Sequence, residues 1–536
     1  MQPTIPLLTP QRVLFTGPVE SDLKDFLLET IALLKYCPTI VETIESDLDA
    51  RALKQKLLRQ ADAQSHQENQ GRLPGVMSAP VETDPSKVVL YQGRTRTSGF
   101  VVAIALSLRG FFGTGFKTCS TEMMMAESQT LSVLFGNLGV QMPKPSTLTD
   151  LVNAVSVSTH SLILDAQIAQ ASAVKWDEFK EMFADSTHVE GNTAWPTDSG
   201  VILALVERLV RVGTSLPKFG LPAIELRQVR RHLEKIAKLA RAIALAGKGK
   251  RATRMRKQYY KKLLDHAYPI LNLLPTRIDA SRLALSALNI LPSRLLIATR
   301  AVERMSDDLQ SLKTAIEACN SRVVENMDVA VADKVLSVSD PDVGFIAKGQ
   351  RVPVVGYKPQ VARSKSGFIT ALLLPHGNAS DSGQLIPLLD EVKRRTGIMP
   401  DVASFDDGYA SGSNVHEAKN RGVKVISING AKGKALTDDG DWNSDAYAAA
   451  RAGRSCVESL FFTLKEGFDF GSVARRGLAS VHAELLGKAI AYNICRSAII
   501  RERKTAEAEV KRIRDAREVK QTTSPKKRAV QPSFAA

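Results

Sequence analysis

The sequence predicts an α/β protein in which a mixed sheet is set among helical modules, and three observations predict it. Two β-branched, apolar runs, RVPVVGYKPQVA and SGFITALLLP, flank the basic turn RSKSG and read as a hairpin. Behind them helix and strand alternate, with helices over 382–396 and 414–420 and strands over 402–405 and 423–428, the order of a mixed α/β layer. Ahead of them apolar residues recur at helical spacing over long stretches, as in Phe26, Leu27, Ile31, Leu33 and Leu34.

In chain order, residues 1–60 read as a helical N-terminal segment, and the polar run ADAQSHQENQGR opens a linker over 61–96. Helical spacing returns over 97–173, broken by glycine turns and by MPKPSTLTD, where Ser146 or Thr147 is placed to cap a new helix. Residues 174–212 hold a strand from Met182 to Val189, which carries Asp185, and a helix from Thr197 to Val212. Residues 213–334 are helical and basic: from Arg227 to Lys262 there are fourteen Lys and Arg against Glu234 alone, interrupted by the turn AGKGKR. The strands and alternating helices occupy 335–500, which ends in helices over 444–468 and 483–503. A charged tail over 501–536, with KRIRDAR and SPKKR, is expected to be solvated.

A length of 536 residues with 44% hydrophobic composition suits two to four folded units. The balance of 72 Lys and Arg against 56 Asp and Glu gives a formal charge of +16, which favours polyanionic partners such as nucleic acid. The Arg227–Lys262 stretch, with Arg251, Arg254 and Arg256, is accordingly either a contact to a nucleic-acid backbone or a solvated helix face. Five cysteines lie far apart without a C-x-x-C pair, so neither a disulfide framework nor a zinc finger is indicated, and a reducing cytoplasm fits. The apolar stretch from Phe100 to Phe112 is shorter than a membrane span and reads as a buried helix. The opening MQPTIPLLTPQR has no signal-peptide pattern, so neither export nor a membrane is expected.

Three carboxylates stand where a strand end or helix face could present them: Asp185 in ADSTHVEGN, Asp406 in FDDGYAS and Glu458 in GRSCVESLFFTLKEGF. Breaking a phosphodiester at neutral pH calls for hard divalent cations, and such cations prefer carboxylate oxygens. Arg454, Glu458 and Lys465 follow R-x3-E-x6-K, which places them within about 40° of one helical stripe. Val457, Leu460, Phe461, Leu464 and Phe468 line the adjoining arc as a packing face.

On these residues the chain resembles the transposases of bacterial insertion sequences with a DDE triad on an RNase H-like core. The D-x-T-x-[VI]-E-x-N context is matched by Asp185, Thr187, Val189, Glu190 and Asn192, and WPTDSG at 195–200 resembles the family's P-T-D-S segment. D-x-G-Y-x-S-x-x-N is matched by Asp406, Gly408, Tyr409, Ser411 and Asn414, and R-x3-E-x6-K by Arg454, Glu458 and Lys465. A related signature carries Tyr three residues before the Arg; here that residue is Arg451, and the nearest tyrosine is Tyr447.

The resemblance implies a fold and an activity. The core would be an RNase H-like mixed sheet split by a long helical insertion. Asp185, Asp406 and Glu458 would hold Mg²⁺, with Mn²⁺ as a substitute, and Arg454 and Lys465 would contact phosphates. The enzyme would be a metal-dependent polynucleotidyl transferase and endonuclease acting on terminal inverted repeats and target DNA, as a homodimer on DNA. Residues 97–173 would then be either a DNA-end-binding or a dimerisation module. An RNase H-like nuclease without strand transfer, and an inactive DNA-binding derivative, are the competing readings.

Overall fold

A computed structural model describes residues 21–70, 96–112, 133, 136, 144–347 and 352–523. The chain begins with α1 (Ser21–Tyr36) and α2 (Thr39–Gln70). The first ten residues expected as linker, ADAQSHQENQ, belong to α2, because Ala, Gln and Glu favour helix and no Gly or Pro intervenes before Gly71. The rest of the expected linker up to residue 95 lies outside the described residues. The apolar helix α3 (Gly99–Phe112) is buried along nearly its whole length. Next, α4 (Pro145–Ala154) starts at its proline with Lys144 as N-cap, so neither Ser146 nor Thr147 caps it; the fixed φ of Pro suits a first helical turn. Ser156 caps α5 (Val157–Ala173) by accepting a hydrogen bond from the Thr159 N–H.

β1 (Glu181–Ser186) and β2 (Val189–Glu190) follow, and then α6 (Asp198–Ser215), capped by Thr197. The insertion comprises α7 (Arg227–Leu245), α8 (Lys250–Leu273), α9 (Pro275–Leu285) and α10 (Pro292–Cys319). Leu205 and Leu209 of α6 share one core with Val229, Ile236, Leu263, Val302 and Leu312 of these helices. The insertion's bundle therefore starts at α6, ahead of the boundary expected at 213, because the apolar stripe of α6 faces α7 and α10.

The chain returns to sheet in β3 (Gly344–Ile346), β4 (Val354–Tyr357), β5 (Gln360–Ser364) and β6 (Ile369–Leu373). The run RVPVVGYKPQVA divides at Lys358–Pro359: β4 joins β2 and β3 in a small antiparallel sheet, while β5 forms the expected hairpin with β6. Proline cannot donate to a ladder, which makes Pro359 a natural point for the chain to change sheets. The remaining elements are α11 (Leu385–Thr396), β7 (Val402–Asp406), α12 (Gly412–Asn420), β8 (Val425–Asn429), α13 (Ala431–Ala435), α14 (Asp439–Trp442), α15 (Asp445–Gly453), α16 (Ser455–Phe468) and α17 (Leu478–Thr523). The helix expected over 444–468 thus breaks at Arg454. The charged stretch past residue 500 continues α17 as helix to Thr523, with SPKKR outside the described residues.

The main sheet has the order β6-β5-β1-β7-β8, with β1 antiparallel to β5 and parallel to β7, and β7 parallel to β8. This is an RNase H-like mixed sheet. Met182 and Ala184 on one face pack with Leu385, Leu388 and Leu389 of α11. Val361 and Ile369 belong to a second core with Leu460 and Leu464 of α16, Leu485 and Ile490 of α17, and the buried face of α1 to α3. At the crossing of α3 and α17, Gly110 meets the backbone of Gly487 so closely that a Cβ at Gly110 would collide with the Gly487 carbonyl oxygen. Among the described residues no helix is long and apolar enough to cross a membrane.

His160 on α5 is fully buried, and its Nδ1 donates to the Ser156 carbonyl at 2.7 Å. Burial pushes its pKa down from 6.5 to about 4, so the folded chain keeps the ring neutral where the unfolded chain protonates it. The stability this supplies is complete above pH 6.5 and is lost as pH falls toward 4, by about 3 kcal/mol in total. The urea midpoint should therefore fall less between pH 7 and pH 4.5 in His160→Gln than in the parent; equal falls would show that His160 does not set the acid limit.

Candidate active site

The register of the sheet brings two of the acids side by side. Phe183 of β1 pairs with Ser404 of β7 in a parallel ladder, so Asp185 and Asp406, each two residues further on, stand level on neighbouring strands with their side chains on one face. Asp185 is nearly buried, and its Oδ1 accepts from the Ser186 N–H at 2.7 Å. Asp406 closes β7 and turns the chain: its Oδ1 accepts from the Gly408 N–H at 2.9 Å, opening a short 3₁₀ turn over Asp407–Tyr409.

The third acid arrives from α16. Arg454, at the N-cap of that helix, donates Nη1 to Asp185 Oδ2 at 3.0 Å and Nη2 to Glu458 Oε1. Asp185 and Glu458 are therefore separated by about the width of one guanidinium group. The R-x3-E spacing is what allows this, since it puts Glu458 one turn beyond Arg454 on the same stripe. The packing arc of α16 is as expected: Val457, Leu460, Leu464 and Phe468 are buried, and Phe461 packs partly buried against the same core. Lys465 lies two turns further along α16 and is half-buried.

Gly453 is what lets Arg454 approach. A Cβ there would lie 2.6 and 2.9 Å from the ring of Phe183, two residues before Asp185 on β1. Gly453→Ala is expected to force the ring or the α15–α16 corner aside, at a cost of about 1–3 kcal/mol in unfolding free energy. An unchanged melting temperature would show that the ring has room to move.

The side chains around Asp406 form a connected set. Tyr409 is fully buried; its hydroxyl donates to Oε1 of Gln360, the residue that pairs with Ser186 across β5 and β1. Burial, reinforced by the negative charges of Asp381, Asp185 and Asp406, holds the Tyr409 hydroxyl well above its ordinary pKa and therefore protonated. It is a packed hydrogen-bond donor. Asp407 points elsewhere: its Oδ1 accepts from the Lys432 and Gly433 N–H groups at 2.9 and 3.0 Å, pinning the loop after β8. Asn192 and Asn414, which match the signature, donate to the carbonyls of Ala474 and of Ser382 and Tyr409, and so brace loops.

Sequence reasoning missed Lys358 and Asp381. Lys358 Nζ lies 2.9 Å from Asp381 Oδ1, and Gln360 Nε2 donates to the same oxygen at 2.9 Å. Asp381 sits in the polar loop GNASDSGQL, where an Asp reads as an ordinary turn residue, and only the fold brings it to the strand ends.

The donors assembled here are hard carboxylate oxygens, which fit Mg²⁺ or Mn²⁺ and do not suit a thiolate-loving metal. As the side chains lie, among the described residues no three of His, Cys, Asp and Glu converge closely enough to hold a metal ion. The arginine accounts for this at Glu458, whose oxygen is turned to Arg454. Arg251, Arg254 and Arg256 are not at this site: they lie on α8 of the insertion, the first two exposed and Arg256 half-buried.

Residues 340–494 match the family model of the transposase DDE domain. Over this stretch the chain is similar to the DDE domain of transposases. The matched stretch contains Asp406, Arg454, Glu458 and Lys465, together with Lys358 and Asp381. It does not contain Asp185, which precedes the insertion, yet β1 lies between β5 and β7, both of which the match covers. The sheet built by the matched stretch therefore takes its central strand from outside that stretch. No curated protein and no solved structure matches it.

Proposed function

We propose that this protein is a transposase that cuts DNA at transposon ends and joins the freed strand to target DNA, with Asp185, Asp406 and Glu458 as the metal-binding acids. The observation that carries this reading is the convergence of Asp185, Glu458 and Arg454 beside Asp406 at the C-terminal ends of neighbouring interior strands of the RNase H-like sheet. Bound divalent ions would supply activation of the attacking oxygen and stabilisation of the leaving one. In cleavage, water adds to phosphorus at the transposon end and the P–O3′ bond breaks, leaving a 3′-OH and a 5′-phosphate. In joining, that 3′-OH attacks a target phosphodiester and displaces the target's own 3′ oxygen, which leaves as a 3′-OH.

Arg454 has two tasks in sequence. Without DNA its guanidinium offsets the charges of Asp185 and Glu458, which would otherwise repel across a partly dry site. With DNA bound, Arg454 and Lys465 serve as phosphate contacts beside the cut, and a guanidinium suits phosphate bidentately. The helices of 97–173 and the basic insertion give the surface that selects and holds DNA, and a homodimer would bring two ends together.

The test uses the full chain, Mg²⁺, a duplex from the DNA bordering its own gene and a supercoiled plasmid. Release of a 3′-OH at the duplex end followed by its covalent joining to plasmid is expected. Cleavage without joining would establish the plain nuclease, and binding without cleavage would establish a DNA-binding derivative.

A further inference from the structure

We infer that Asp381 is a positioning residue for DNA cleavage, acting through the Gly408 turn and the Gln360–Tyr409 pair to fix the orientation in which the Asp406 carboxylate takes its cation; this rests on the triad proposed above. The two oxygens of Asp381 are differently engaged. Oδ1 takes hydrogen bonds from Lys358 Nζ and Gln360 Nε2, both at 2.9 Å. Oδ2 lies 3.2 Å from the point a Cβ would occupy on Gly408, and Asp406 Oδ1 lies 3.0 Å from that same point. Two carboxylate oxygens thus border one glycine, and a side chain at 408 would force them apart. A Cβ at 408 would make both acids give way by a few tenths of an ångström.

The chain of contacts has one direction. Lys358 fixes Asp381, Asp381 fixes the amide of Gln360 with its nitrogen outward, and the Gln360 oxygen thereby faces the Tyr409 hydroxyl. Tyr409 ends the 3₁₀ turn that Asp406 begins, and Gln360 is the ladder partner of Ser186, next to Asp185. One network therefore keys the turn behind Asp406 to the strand that carries Asp185. Lys358 and Asp381 are each only about 15% exposed, and their desolvation would be avoided by an apolar pair of similar volume if packing were all that mattered here. What an apolar pair could not do is direct the Gln360 amide.

Partners that orient metal-binding side chains typically change metal affinity about ten- to hundredfold when removed. Asp381→Asn keeps the size but puts an N–H₂ either against the Lys358 and Gln360 donors or on the side of Asp406 Oδ1, and is expected to weaken Mn²⁺ binding to the full-length protein without DNA by that factor, with the melting temperature nearly unchanged. The Mg²⁺ concentration for half-maximal cleavage should rise in parallel, while cleavage at saturating Mg²⁺ recovers to within a few-fold. Tyr409→Phe, which deletes only the hydroxyl, should weaken Mn²⁺ binding in the same sense. If Asp381 served merely to neutralise Lys358, the Lys358→Met, Asp381→Asn double variant would regain parental Mn²⁺ affinity; the expected result is that it stays weak. Parental affinity in Asp381→Asn, or recovery in the double variant, overturns the inference. Asp406→Asn separates this failure from that of the triad: if it too binds Mn²⁺ like the parent, the triad falls and the inference with it. If Asp406→Asn loses binding while Asp381→Asn is normal, only the inference falls.

Discussion

Asp406→Asn is expected to cut Mg²⁺-dependent release of a 3′-OH from a transposon-end duplex by about a thousandfold or more, leaving folding and DNA binding intact. Asn preserves the shape and one oxygen, and with it the hydrogen bond from the Gly408 N–H that starts the turn. It removes the negative charge that binds a hard cation, and losing several kcal/mol of transition-state stabilisation is worth about that factor. The neighbouring Asp407→Asn is a demanding control, because its carboxylate oxygen accepts two backbone N–H groups of the loop after β8 and an amide oxygen can still do so. It should cleave like the parent and lose about 1 kcal/mol of stability at most. Thermal unfolding and gel-shift binding accompany the cleavage assay. An active Asp406→Asn beside a dead Asp407→Asn would move the ligand by one position, and full activity in both would end the DDE assignment.

The second large effect is expected on the insertion. Replacing Arg251, Arg254 and Arg256 with Gln should lower the slope of log affinity against log salt by about two to three units, close to one for each phosphate that is no longer neutralised. At about 0.1 M salt this corresponds to roughly a hundred- to thousandfold weaker binding, equally for any sequence, because recognition of the sugar-phosphate backbone carries no base information. Arg251 and Arg254 are exposed on α8 and should account for most of the change; Arg256 is half-buried. Arg251 and Arg254 face away from the helix's buried residues Leu263, Leu264, Ala267 and Ile270, whereas Arg256 shares the stripe of Leu263 and Ala267, so the Arg251, Arg254 double variant is the one that leaves the bundle's packing alone. A slope equal to the parent's would make this face a solvated one.

The parts of the fold that were legible follow from short-range pattern. Asp185 falls on a strand end because Met182, Phe183 and Ala184 precede small and polar residues, and Asp406 closes a strand because VASF meets a Gly-containing turn. The arc of α16 was readable because a helix repeats its faces within one turn. What was not legible depends on distant chain. No local signal gives RVPVVGYKPQVA to two different sheets, since β4 finds its partners in β2 and β3. The helix of the expected linker, and of the charged tail to Thr523, was hidden by polarity: absence of an apolar stripe suggested solvated coil, while Ala, Glu, Gln, Lys and Arg retain helix propensity without one. Asp381 was missed for the same reason that Arg454 was only half understood. Each meets its partners across the fold, Arg454 reaching Asp185 over a separation of 269 residues.

The way α17 closes the molecule bears on when the protein can first become active during its synthesis. Its inner residues complete a core shared with α1 to α3, β5, β6 and α16, and it backs the sheet that carries the acids. The early helices α1 to α3 must therefore wait for the much later α17, with apolar faces such as that of α3 uncovered in the interval. Pairings between distant parts of a chain are slow to form, since the intervening loop must first be closed. A nascent or prematurely terminated chain lacking α17 would hold Asp185, Asp406 and Glu458 in sequence but not in place. If the protein is the transposase proposed above, a chain that stops short of α17 would thus be unable to cut.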